Sequence, residues 1–187
     1  IALRFGALGC LDHGPQRLRS WDRHDCRWVG GNLAIRRAVT RQVGAYDPRL
    51  GRAQDTDYYK RCIHQEFNVV YEPTALVYHK VWPERMTPEY LRRWHHTTGY
   101  YHAYLLPWKP AHLATIMPVR WYRQTARILV YWLSHVLTQS PWAERLWWEL
   151  EARESFSALR HRLRLWPRWC WAVLAGRLSE PSSHWPV

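Results

Sequence analysis

The residues best equipped for chemistry stand in "GRAQDTDYYKRC", residues 51–62, where Asp55 and Asp57 flank Thr56. Two carboxylates one residue apart can grip a cation, take a proton or cap a helix. At 100 degrees per residue, a helix through this stretch pulls them apart. With Asp55 as origin, Tyr58, Tyr59, Cys62, Ile63 and Glu66 fall within about 80 degrees of it, so Asp55 shares the inward face. Asp57 falls on the far side with Lys60, Arg61 and His64. It is expected to be an exposed acid of the first helical turn, favoured by the helix dipole and within i,i+4 reach of Arg61. Asp55 has two readings: an N-cap accepting amide hydrogen bonds, or an acid reaching into a cleft as a general base. A cation-gripping D-x-D needs both carboxylates turned to one ion from a strand end; here a Gly/Arg turn precedes and a helix follows, which excludes it.

Histidines and cysteines supply the other candidates. His79 ends "ALVYHK", and a lone His at a strand end is more often a satisfied polar residue than a ligand. In "WHHTTGYYH", His95, His96 and His102 match no metal template. Cys10 and His13, then His24 and Cys26, resemble paired zinc ligands, but the second pair is too tight for a structural site. With Cys62 and Cys170, the four cysteines read as scattered free thiols.

These residues need elements to hold them. "WVGGNLAIRRAVTRQVG" predicts a strand end, a turn at Gly30 and Gly31, and a helix stopped by Gly44. A turn "AYDPRLG" and a helix from about Asp55 to Glu66 follow, then two β-branched runs, "NVVYEP" and "ALVYHK", split by Pro73. Strand, helix and strand in succession predict an α/β domain over residues 1–103. Residues 104–178 are Trp-, Arg- and Leu-rich and read as helical, and 179–187 as a Pro/Ser tail. Val119, Tyr122, Ala126, Leu129, Val130, Leu133, Val136 and Leu137 form one apolar face after Pro118, and Trp148, Ala152, Phe156, Leu159, Leu163 and Trp166 another. Either these helices pack on their own domain with Arg stems reaching water, or they lie in a membrane interface.

The 187 residues carry 27 Lys+Arg against 15 Asp+Glu, a net +12, and nearly all the positive charge is Arg. Such a surplus fits an anionic partner: phosphorylated substrate, anionic lipid or nucleic acid. No nucleic-acid motif is legible, so nucleic acid is not expected. No window approaches the ~18 apolar residues of a spanning helix. The chain begins at Ile1 without a secretory signal and reads as a piece of a longer one.

Taken in order, "GGNLAIRRAVTRQVGAYDPRLGRAQDTDYYKRC", "VVYEPTALVYHKVWPERMTPEY" and "LRRWHHTTGYYHA" resemble the C-terminal half of a family 2 glycosyltransferase domain, over about residues 28–103. The resemblance implies a partial GT-A fold followed by amphipathic helices, and transfer of a sugar with inversion from a nucleotide-diphosphate donor to a glycan or lipid-linked acceptor. It implies bacterial cell-envelope or surface glycan synthesis, in the cytoplasm or peripherally on the inner face of the plasma membrane. Asp55 takes the place of the family's catalytic base, and His79 that of a histidine that helps bind Mg²⁺ or Mn²⁺. Gly31 and Asn32 match a G-x-N turn lining the substrate cleft, Arg85 a diphosphate contact, and Trp94, with Arg93, the end of the Q-x-x-R-W motif. Gln54 replaces the acid usually paired with Asp55, removing a like charge beside it. Phe67 stands where the family's helix usually ends in Gly, which passes the left-handed turn to Asn68. Tyr90 stands at the first position of Q-x-x-R-W, which implies single addition rather than polymerisation. The family's donor-binding strands and D-x-D belong to its N-terminal half, and residues 1–27 do not resemble them, so this chain alone is expected to be inactive. The contrasting reading is a non-enzymatic basic and aromatic module that binds an anionic membrane surface or nucleic acid.

Overall fold

The computed structural model describes residues 13–19, 30–106, 109 and 112–175. The chain divides into two compact units, Ile1–Met86 and Thr87–Val187. The compositional shift at 103/104 falls inside a helix of the second unit.

In the first unit, β1 (Leu18–Arg19) pairs antiparallel with β2 (Val70–Tyr71), Leu18 opposite Tyr71 and Arg19 opposite Val70. Between them lie α1 (Arg37–Val43), a 3₁₀ segment (Pro48–Ala53) and α2 (Gln54–His64); a short 3₁₀ turn, Pro83–Met86, closes the unit. Gly44 ends α1 as expected, at φ 87° and with its N–H donating to the Thr40 carbonyl. A small core forms where Val43 of α1 meets Tyr58 and Cys62 of α2 and Val69, with Ile35, Val39, Tyr59 and Phe67 around it.

Three local expectations are corrected. "ALVYHK" is irregular, not a strand, and Leu76, Val77 and Tyr78 are exposed. Among the described residues only two-residue strands form, so the expected α/β domain is a mixed, largely helical one. Glu66, not Asn68, takes the left-handed turn after α2, at φ 61°. The Glu66 and Phe67 N–H groups donate back to the Ile63 and Cys62 carbonyls, closing the helix while Phe67 packs on the core.

The second unit is helical: α3 (Pro88–Leu105), α4 (His112–Thr115), α5 (Val119–Leu137) and α6 (Trp142–Leu174). Thr87 caps α3 by accepting from the Tyr90 N–H, with Pro88 at the first helical position. The buried residues of α3 are Leu91, His95, Gly99 and Ala103, one ridge at four-residue spacing. This ridge seats against α6, where Leu150, Ser157, Ala158 and Arg162 are buried. Small residues let the backbones approach, and Ser157 Oγ donates to the His96 carbonyl at 2.6 Å.

Arg162 is fully buried yet not isolated. It donates from Nε to the Ile116 carbonyl at 2.9 Å and from Nη1 to the Leu106 carbonyl at 2.8 Å, at the C-terminal end of α3 where the helix dipole favours a cation. Burial still lowers its pKa to about 10. Across the same interface Glu149 accepts from both Nε (2.8 Å) and Nη2 (3.0 Å) of Arg92, and also from Arg153 on its own helix.

On α5 the apolar stripe, expected either to pack on its own domain or to lie in a membrane interface, is exposed at Val119, Tyr122, Val130, Leu133, Val136 and Leu137. The helix instead buries Thr125 and Ile128, toward α6. On α6 the second expected stripe is split: Ala152 is buried, but Phe156 and Leu163 are exposed.

Candidate functional site

Asp55 sits one residue into α2, whose N-cap is Ala53, so it is not the cap. Its Oδ1 accepts from the Thr56 N–H at 2.8 Å, and its Oδ2 from the Gly30 N–H at 3.3 Å. The second bond ties the glycine turn, twenty-five residues earlier in the chain, to the mouth of α2. A methyl on Gly30 would lie in ordinary contact with Asp55, 3.7 Å from its Cβ. Asp55 is half-buried in the first turn, at the positive end of the helix.

Asp57 reverses its expectation. The i,i+4 partner is right, with Arg61 Nε 2.8 Å from Asp57 Oδ2, but Asp57 is only 2% exposed. Arg61 folds back over it and donates from Nη1 and Nη2 to the carbonyls of Val43 (2.8 Å) and Ala45 (2.9 Å), just where α1 ends. The guanidinium thereby joins the two helices, and its hydrogen bonds offset the cost of burying the pair. Phase alone placed Asp57 outward because it ignored the chain that covers it. The two acids remain divided in role: Asp57 is structural, and Asp55 is the accessible one.

Of the other expected residues, Gly31 and Asn32 continue the turn that touches Asp55. Asn32 Nδ2 donates to the Ala75 carbonyl at 2.5 Å, bringing the turn to the segment that leads to His79. Around Gly31 the space is open. Arg85, half-buried on the 3₁₀ turn, makes no side-chain hydrogen bond or ion pair among the described residues. His79 is exposed, and among the described residues no two further His, Cys or acidic side chains converge with it. Among the described residues nothing completes a Mg²⁺ or Mn²⁺ site around His79. Trp94 belongs to the second unit, half-buried on α3 with its ring 5.0 Å from that of His95. Of the paired Cys/His set, Cys10, His24 and Cys26 lie outside the described residues.

The sequence reading missed a second polar cluster. On the α3–α6 interface, His95 Nδ1 donates to Glu154 Oε2 and His102 Nδ1 to Glu154 Oε1, both at 2.9 Å. Burial works to raise the Glu154 carboxyl, but the two imidazoles overcome it and hold the group well below the usual carboxylate range. Glu151, one turn before, goes the other way: burial and the neighbouring Glu154 charge push it up. A seven-residue His spacing facing acids three apart was the available signal, but it becomes one only when two distant helices are known to pack.

No family model matches the chain, and no curated protein or solved structure is significantly similar to it.

Proposed function

We propose that the chain is the acceptor-side half of an inverting, family 2-like glycosyltransferase with a partial GT-A fold, in which Asp55 is the general base. As an acceptor hydroxyl on a glycan or lipid-linked sugar attacks the anomeric carbon, Asp55 takes its proton. The new carbon–oxygen bond forms as the bond to the nucleotide diphosphate breaks, and the leaving group departs with the electron pair. Arg85 is the group offered to the diphosphate, where a charge-assisted hydrogen bond stabilises the developing charge. The supporting observation is the attachment of Asp55: two backbone N–H groups, one from the Gly30 turn, hold a carboxylate that is not needed as a cap. Gly31 and Asn32 continue the turn that holds it, and Trp94 is assigned to substrate binding from the resemblance alone. On this reading the enzyme acts in cell-envelope or surface glycan synthesis from the cytoplasm, at the inner face of the plasma membrane.

The test is Asp55→Asn in the protein together with the donor-binding half that this reading places before Ile1. Sugar transfer is expected to fall by about 10²–10⁴-fold with donor affinity unchanged. Transfer within twofold of the parent would reduce Asp55 to a structural acid.

A second reading, a module that binds an anionic membrane surface, is favoured by the exposed stripe of α5. Arg120, Arg123 and Arg127 lie beside Val119, Tyr122, Val130 and Leu133, all exposed. The two readings are compatible in one protein.

A further inference from the structure

The cluster at the α3–α6 interface has the composition and closeness of a cation site. One ring nitrogen of His95 and one carboxylate oxygen each of Glu151 and Glu154 all lie within 4.8 Å of one another. A tetrahedral ion with ligands at about 2.0–2.1 Å sets them about 3.3 Å apart, so a small inward movement of side chains suffices.

Two features of the cluster are unexplained by hydrogen bonding alone. His95 is 3% exposed, and its Nε2 is buried with no hydrogen-bond partner. A buried polar atom left unmatched costs about 1–3 kcal/mol, so such atoms ordinarily find a partner. The Glu151 carboxylate, in turn, makes no hydrogen bond among the described residues, although it faces the second acid of the cluster. Two carboxylates and an imidazole that converge from two helices suit a divalent transition ion. His102, 46% exposed and bonded to the other Glu154 oxygen, lies outside the group of converging ligand atoms and serves as an orienting partner of Glu154.

We infer that His95, Glu151 and Glu154 hold a zinc ion that clamps α3 to α6, with His102 orienting Glu154. This inference is independent of any glycosyl transfer, because it concerns the second unit alone and involves neither Asp55 nor His79. A cation here would join helices that Gly99 already brings into backbone contact.

The experiment strips the purified chain with a chelator and titrates it with Zn²⁺ alone, following heat of binding, metal content after dialysis and the thermal midpoint. One zinc per chain and a raised midpoint are expected. Glu151→Gln is the informative variant, since it removes a ligand charge without breaking a hydrogen bond; it should bind zinc at least about tenfold more weakly while keeping its helical circular dichroism. Co²⁺ in place of zinc should give a visible absorption spectrum that Glu151→Gln alters. Failure to retain zinc, or equal retention by the parent and Glu151→Gln, would overturn the site and assign any bound metal to surface histidines or thiols.

Discussion

At the scale of single residues, burial decides what a charged group can do. His161 of α6 lies edge-on to the Tyr100 ring, centroids 4.3 Å apart. Burial first, then the charges of Arg164, His96 and Arg160, lower its pKa. The folded state therefore favours the neutral imidazole, and the unfolded chain takes up the proton at the higher pH. Stability from this group is complete above the unfolded value, about 6.5, and is lost as pH falls through that value toward the depressed folded one. The thermal midpoint is expected to fall across that window, and His161→Phe, which keeps a ring against Tyr100 but cannot titrate, to fall less steeply. Parallel profiles would show that the imidazole's charge is tolerated. Asp57 teaches the same lesson from the sequence side. Its pairing with Arg61 was legible because i,i+4 neighbours meet on any helix, whereas its burial depended on residues 43–45, which no helical wheel of α2 contains.

At the scale of elements, local signals were read well and facing surfaces poorly. Gly44 ended α1 as its conformational freedom required, and Pro118 stands just before α5, so the helices themselves were visible. Missing was the buried face of α6. It includes Ser157 and Arg162, polar residues that a hydrophobic periodicity discards, while the counted stripe includes Phe156 and Leu163, which are exposed. "ALVYHK" had strand composition but finds no strand neighbour among the described residues, and β-propensity expresses mostly packing against neighbours. Gly99 shows how tight the true α3–α6 face is. A Cβ there would overlap the Glu154 carbonyl oxygen and lie 2.9 Å from Ser157 Cβ. Because the obstacle is backbone, the helices rather than a side chain must yield. Gly99→Ala is expected to lose about 2–3 kcal/mol in denaturant unfolding despite alanine's better helix propensity. A neutral or stabilised variant would mean that the helices separate at little cost.

At the scale of the molecule, the net charge of +12 and the exposed face of α5 would both suit the anionic surface of the second reading proposed above. Among the described residues no helix is long and apolar enough to cross a membrane. Val119, Tyr122, Ala126, Val130, Leu133 and Leu137 recur at three- and four-residue spacing and are all exposed, while Arg120, Arg123 and Arg127 run along one edge. An apolar stripe bordered by cations suits the boundary between head groups and acyl chains, where insertion and attraction to anionic lipid add. Protein packing of the stripe would need no anionic charge, and this difference makes the reading testable. The full chain is expected to float with phosphatidylglycerol-containing vesicles and not with phosphatidylcholine alone, and added salt should weaken the association. Val130→Gln with Leu133→Gln should weaken it at least about tenfold, since each side chain contributes roughly 1.5–3 kcal/mol when fully buried in an apolar phase. Both residues are exposed, so the double variant should keep its thermal midpoint. Flotation that persists undiminished in that variant would locate the lipid contact elsewhere, and no flotation by the parent would leave the stripe to a protein partner.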